Sequence, residues 1–217
     1  MKAIVFDLDG TLIDSLPDIT FSANSLLADH GLPALDKSQV AGFVGCGVRV
    51  FMDRLIAATD LSAAQYDSLM ARFMALYVNA TDRTEVFPHV HEVLQALRED
   101  GYVLGLCTNK PTAPMKAVLK AVALDGFFDV TVAGDTLGSR KPDPAPLRYV
   151  FDRLAATQGV YVGDSDVDAE TAQRAGVAFA FFTEGIRVTS QDNIPHDVAF
   201  DDFTKLPAIC KDLMRPL

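Results

Sequence analysis

The sequence predicts an α/β protein: a doubly wound, mostly parallel sheet with helices on both faces, plus an all-helical domain inserted after the first strand. Three observations carry this expectation. Beyond Glu85, short apolar runs alternate with segments of helical period, the pattern of successive βαβ units. Between Leu16 and Thr81 the period is helical throughout. The opening run, residues 2 to 7, has the buried, apolar character of the later strands rather than the texture of the segment that follows it. The expected division is residues 1–15 and 83–217 for the α/β core and 16–82 for the helical insert.

The opening strand raises a chemical question. Ala3 to Phe6 is apolar, then Asp7 and Asp9 stand two residues apart, just before Gly10. Alternate side chains of a strand share a face. An extended chain past Asp7 therefore puts both acids on one side, with Phe6 and Leu8 on the other. Close carboxylates repel, and one tends to protonate unless a cation lies between them. The pair points to a divalent metal, or to two jobs such as nucleophile and acid/base. The alternative is an aspartate-rich turn closing a strand.

In the insert, Val48, Phe51, Met52, Leu55 and Ile56 mark one helix face, Tyr66, Leu69, Met70 and Phe73 a second, and Leu16, Ile19, Ala23 and Leu27 a looser third. Beyond it, Val90, Val93, Leu94 and Leu97 mark a helix stopped by Gly101, and "YVLGLC" reads as a buried strand. Met115, Val118, Leu119 and Val122 mark the next helix, followed by the strand "DVTVAG". Leu147, Val150, Phe151 and Leu154 mark another, followed by "VYVG". The helix "DSDVDAETAQRAG" and the strand "AFAFF" complete the expected series, a Rossmann-like core.

In open α/β sheets, ligands bind beyond the carboxyl ends of the strands. Asp7 ends the first strand, Thr108 and Asn109 follow "YVLGLC", Lys141 lies in the loop after "DVTVAG", and Asp164 follows "VYVG", with Asp168 one helical turn later. Carboxylates, a hydroxyl, an amide and a lysine at one sheet edge suit a phosphoryl group beside Mg²⁺, a hard cation that prefers oxygen ligands. Each residue has a plainer alternative. Thr108 can cap the next helix, Lys141 can be solvated, and the two late acids can sit favourably at a helix N-terminus. Their joint occurrence at successive strand ends favours the site. Asp164 to Asp168 also mimics the start of an EF-hand loop, but Ala169 and Ala175 stand where that loop needs Gly and Glu. "GCG" at 45–47 is too short and wrongly placed for a dinucleotide fingerprint. His30, His89, His91 and His196 show no zinc-ligand spacing.

Composition narrows the partners. The 217-residue chain carries a formal net charge of −10, which argues against nonspecific binding to nucleic acid. An anionic substrate must then be met by local positive charge or metal. Three scattered cysteines, Cys46, Cys107 and Cys210, fit a reducing compartment better than a disulfide framework. No apolar run reaches the length of a membrane span, and no signal peptide is visible. A cytoplasmic protein, monomer or homodimer, is the expectation.

"FDLDGTLIDS", "CTNKP", "RKPDPAPL" and "VGDSDVDAETAQRAGV" resemble, in order, the four motifs of the haloacid dehalogenase superfamily of phosphohydrolases. The resemblance spans essentially the whole chain, and the helical insert looks like that superfamily's C1 cap. Within the superfamily the chain looks most like the phosphoglycolate phosphatases. The resemblance implies that Asp7 is the nucleophile and Asp9 the acid/base. It implies that Asp7, the backbone carbonyl of Asp9 and Asp164 hold Mg²⁺, with Asp168 an indirect or water-mediated partner. It assigns the phosphoryl oxygens to Thr108, Asn109 and Lys141, and Gly10 allows a tight turn whose N–H groups approach the phosphoryl group. His89 departs from the glycine usual in "VFPHV", and Cys107 from the usual aliphatic residue. A phosphatase for another small phosphomonoester, a β-phosphoglucomutase-like sugar phosphomutase of the same fold and a non-catalytic phospho-receiver signalling domain are the alternatives; the insert favours an enzyme over a receiver. Arg49 follows Gly45 and Gly47 near the start of a helix, about 100° around the axis from Val48. It is expected either as a surface arginine or, on closure of the insert, as the group that meets a substrate carboxylate.

Overall fold

The computed structural model describes residues 1–216; Leu217, the last residue of the expected core, lies outside them. The chain builds β1 (Lys2–Phe6) and β2 (Ile13–Asp14), then the helices α1 (Leu16–Asp29), α2 (Lys37–Ala41), α3 (Val48–Ala57) and α4 (Tyr66–Tyr77). There follow β3 (Glu85–Val86), α5 (Val90–Glu99), β4 (Val103–Cys107), α6 (Thr112–Ala121), β5 (Val130–Val132), α7 (Ala145–Arg153) and β6 (Gln158–Gly163). The chain closes with α8 (Asp166–Ala175), β7 (Ala178–Phe182), β8 (Val198–Phe200), α9 (Leu206–Leu213) and β9 (Arg215–Pro216).

Six parallel strands stand in the order β5-β4-β1-β6-β7-β8, and β9 pairs antiparallel with β6. Side-chain alternation divides the core between the two faces. Ile4, Phe6, Leu104, Leu106, Val160 and Val162 turn toward α5, α6 and α9. Ala3, Val5, Cys107, Tyr161, Phe179 and Phe181 turn toward α7 and α8. These strands are buried on both sides, which is why they read as continuous apolar runs. A Cβ on Gly105 would lie 2.4 Å from Val150 Cγ1, so α7 packs on the sheet through a position only glycine fits.

Helices α1 to α4 have a separate apolar cluster containing Ile19, Ala23, Leu27, Met52, Leu55, Leu69 and Phe73. The helical faces read from the sequence are the faces that pack. Helix is not continuous there, however: residues 30–36 and 42–47 are irregular. The breaks coincide with Gly31, Gly45 and Gly47, all at positive φ. The expected series also stopped too early, since β8 and α9 follow β7. Leu206, Cys210 and Leu213 bury one face of α9 at spacings of four and three, a helical signal present in the sequence. Strand β8 has three residues, too few for a period. His89 sits at φ 65°, a left-handed conformation in which glycine has no steric cost; the departure from glycine in "VFPHV" falls at the position that favours it. No helix among the described residues is long and apolar enough to cross a membrane.

The chain leaves the sheet for α1 and returns after α4 through two short strands, β2 and β3, paired antiparallel. Asp18, 1% exposed on α1, binds the returning chain. Its Oδ2 accepts from the Arg83 N–H at 3.0 Å and from the Thr84 hydroxyl at 2.7 Å. Asp18→Ala orphans both donors, and hydrogen bonds to a charged group are worth about 1.5–3 kcal/mol. The variant should lose about 2 kcal/mol in urea titrations relative to the wild type, with the sheet's helical and strand signature unchanged by circular dichroism.

Candidate active site

Strand β1 lies between β4 and β6, where successive connections change direction along the sheet. A crevice opens beyond the strand ends at such a switch point. The Asp7 N–H extends the ladder by donating to the Val162 carbonyl at 2.9 Å, which fixes its side chain at the mouth of the sheet. Asp164 follows β6, and Thr108, Asn109 and Lys110 follow β4. One carboxylate oxygen from each of Asp7, Asp164 and Asp168 falls within a cluster no wider than 4.8 Å, and all three residues are buried.

Each acid is held differently. Asp164 Oδ1 accepts from the Thr11 hydroxyl at 2.8 Å and Oδ2 from the Ile186 N–H at 2.8 Å. A Cβ on Gly10, where φ is +87°, would stand 2.3 Å from Asp164 Oδ2. Glycine at that turn therefore answers both backbone conformation and close approach. Asp168 is set by a capping box: Ser165 caps α8, its hydroxyl donating to Asp168 Oδ2 at 2.6 Å and accepting from the Asp168 N–H at 3.3 Å. The other Asp168 oxygen accepts from Lys141 Nζ and from the Tyr161 hydroxyl, both at 2.7 Å. Lys141 Nζ also stands 2.8 Å from Asp7 Oδ1, an ion contact whose angles leave that buried oxygen without a hydrogen bond. Lys141 is 3% exposed and is not a solvated lysine.

Charge follows from this geometry. Burial pushes the Asp7 carboxyl up to about 7; Lys141 opposes the rise and Asp168 adds to it. Burial, and then the neighbouring Asp168 and Asp7, hold Asp164 well above its ordinary range. Burial would raise Asp168 too, but the Lys141 ammonium and its hydrogen bonds hold it below the usual carboxylate range. Three carboxylates against one ammonium leave a deficit of positive charge. An all-oxygen set of three clustered carboxylates fits a hard divalent cation.

Asp9 accepts on Oδ1 from the Ser15 hydroxyl at 2.6 Å and from Lys110 Nζ at 2.9 Å. Thr108 does not cap α6, which begins at Thr112; its hydroxyl oxygen accepts from the Lys110 N–H at 3.2 Å. The Asn109 amide is engaged. Its Nδ2 donates to the carbonyls of Gly45 and Lys141, both at 2.9 Å, and its Oδ1 accepts from the Lys141 N–H at 3.0 Å. That side chain joins the Lys141 loop to the helical insert instead of standing free for a phosphoryl oxygen. Asp7, Asp9, Thr108, Asn109 and Lys110 face a cleft with about 490 Å³ of empty space, open to solvent, whose far wall is Ile19, Phe43, Val44, Phe51, Phe73 and Tyr77.

Arg49 is placed as its surface reading expects. It is exposed, and the cleft is lined by its neighbours Gly47 and Val48 but not by Arg49. Val48 and Phe51 turn inward on α3, and a residue one step from Val48 turns away from them. Lys110, Tyr77 and Tyr161 carry contacts that the sequence reading missed. Lys110 lies inside "CTNKP", but lysine is rarely buried, and nothing local reports its partner 101 positions away.

The sign of the Asp7 shift gives a test. A raised carboxyl in the folded state binds its proton more tightly than in the unfolded chain. Its contribution to stability is therefore lost as pH rises from about 4 toward about 7. Metal-free wild type should lose stability over that window relative to Asp7→Asn, and a saturating divalent cation should remove the difference in denaturant titrations.

Comparison with known proteins places the chain in a family. A haloacid dehalogenase-like hydrolase family model matches residues 4–182. The chain is 41% identical over 220 residues to the phosphoglycolate phosphatase of Cereibacter sphaeroides, covering 100% of this chain and 99% of that protein. It is 44% identical over 180 residues to the plasmid phosphoglycolate phosphatase of Cupriavidus necator, covering 81% of this chain and 78% of that protein. The crystal structure of a predicted phosphoglycolate phosphatase from Haemophilus somnus superimposes with a TM-score of 0.90 at 33% identity, covering 96% of this chain and 97% of that one. With the family model running from β1 through β7, across the insert and all the strand-end residues, this chain belongs to the haloacid dehalogenase-like hydrolases.

Proposed function

We propose that this protein is a Mg²⁺-dependent phosphomonoesterase acting through an aspartyl phosphate on Asp7, with 2-phosphoglycolate as its substrate. The observation that carries the reading is Asp7 itself: a buried carboxylate at a strand end, ion-paired on one oxygen with Lys141 and opening on the cleft that Asp9 also faces. The full-length relatives named phosphoglycolate phosphatase support the substrate.

In this reading Asp7 attacks phosphorus and the leaving alkoxide takes a proton from Asp9. Asp9 then takes a proton from the water that hydrolyses the aspartyl phosphate. Lys141 beside Asp7 and the Thr108 hydroxyl meet the phosphoryl oxygens. Gly10 lets backbone N–H groups come close to them. Asp7, Asp164 and the Asp9 carbonyl would hold Mg²⁺, which supplies the charge neutralisation that phosphoryl transfer needs. Asp168, whose Oδ1 is already ion-paired with the buried Lys141 ammonium, suits an indirect role: it orients Lys141. Residues 16–82 serve as a cap that walls the cleft from the side opposite the acids and excludes bulk water.

A panel of small phosphomonoesters including 2-phosphoglycolate and β-glucose 1-phosphate, assayed for phosphate release, tests the reading. EDTA should abolish activity and Mg²⁺ restore it. Asp7→Asn should lose at least about a thousandfold in kcat/KM. Asp9→Asn should lose far more on alkyl esters than on p-nitrophenyl phosphate, whose leaving group needs no proton. Full activity in EDTA, or steady turnover by Asp7→Asn with deamidation excluded by mass spectrometry, would overturn it.

A further inference from the structure

We propose that Lys110, assisted by the Tyr77 hydroxyl, binds the substrate carboxylate and so selects short acidic phosphomonoesters; this rests on the carboxylate-bearing substrate proposed above. Among the described residues lining the cleft, Lys110 is the one basic side chain. Much of the wall opposite is apolar, formed by Ile19, Phe43, Val44, Phe51 and Phe73. A carboxylate entering such a space loses hydration and is strongly disfavoured unless it meets a cation. Lys141 is already shared between Asp7 and Asp168 and does not line this cleft.

Lys110 has the capacity to respond. Its side chain is 3% exposed, with Nζ 2.9 Å from Asp9 Oδ1 and 2.5 Å from the Tyr77 oxygen. An ammonium has three N–H donors, so two contacts leave one. Because Tyr77 accepts from Lys110, its own hydroxyl hydrogen is available to a second acceptor. Burial pushes the Tyr77 phenol up to about 12, so it keeps that hydrogen at neutral pH.

Distance supplies the argument for chain length. In 2-phosphoglycolate one methylene separates the carboxylate carbon from the ester oxygen. The group that protonates the leaving oxygen and the group that holds the carboxylate must therefore be neighbours. Asp9 and Lys110 are in direct contact. An acid with an additional carbon between the two functions would carry its carboxylate past Lys110 toward the apolar wall.

The test compares 2-phosphoglycolate with 2-hydroxyethyl phosphate, the same skeleton with CH₂OH in place of the carboxylate. Wild type, Lys110→Met, Lys110→Arg and Tyr77→Phe are assayed on both, with thermal melts to confirm folding. Lys110→Met should fall on both substrates, because Asp9 loses a partner. It should fall about 10–100-fold further on 2-phosphoglycolate, chiefly through KM, the scale of a charged hydrogen bond. Lys110→Arg should recover part of the preference, and Tyr77→Phe should lose about 3–10-fold of it. Glycolate as a competitive inhibitor gives a readout independent of turnover, and its inhibition constant should rise in the Lys110→Met and Tyr77→Phe variants. If Lys110→Met does not fold, the Tyr77→Phe ratio and glycolate inhibition decide. Equal losses on both substrates with unchanged glycolate inhibition would overturn the role of Lys110 and leave the proposed function standing. A wild type that hydrolyses both esters equally would overturn the role of Lys110 and the assignment of 2-phosphoglycolate together, while the phosphomonoesterase itself is decided by the EDTA and Asp7→Asn assays.

Discussion

Asp7, Asp164 and Asp168 are buried together within 4.8 Å, and the cost of that placement organises the mouth of the sheet. Isolated buried carboxylates neutralise or find partners. Here one lysine, Lys141, is shared between two of them, and the third relies on a hydroxyl and a backbone N–H. The surrounding residues follow from this constraint. Tyr161 is buried so that its hydroxyl can satisfy Asp168, Ser165 caps α8 with the same carboxylate, and Gly10 leaves room for Asp164. When all three are ionised they outnumber the single ammonium, and a divalent cation among them would restore the balance.

How much of this could be read from the sequence depended on the range of the interaction. The strands between "YVLGLC" and "AFAFF" and the helices between them declare themselves by local period, and the helical faces of α1, α3 and α4 are the faces that pack. Asp7, Thr108, Lys141 and Asp164 were legible because a parallel sheet brings its strand ends to one edge whatever the intervening sequence. Lys110 was not, since burial and pairing with Asp9 depend on a contact 101 positions away. The sequence left two readings for Arg49 for a related reason. Period fixes which side of α3 is buried but not which way the rim of the helix faces the cleft. Strand β8 left no period to read, whereas α9 did, through Leu206, Cys210 and Leu213.

Two side chains after β4 tie the helical insert to this charge cluster. The Asn109 amide bonds the Gly45 carbonyl on one side and the Lys141 backbone on the other. Lys110 joins Tyr77 of α4 to Asp9. Neither bond survives separation of the insert from the sheet. Opening of the insert therefore exposes a buried ammonium and an amide while removing the apolar wall from the cleft, and closing restores both contacts at once. Asn109 reaches the loop that carries Lys141, and Lys110 reaches Asp9. The two halves of the proposed chemistry, phosphoryl binding at Lys141 and leaving-group protonation at Asp9, are thus each two hydrogen bonds from the insert, with Asn109 and Lys110 as the intermediaries. In the proposed reading the wall that selects the substrate and the core that binds the phosphoryl group are joined through one strand end, the residues after β4.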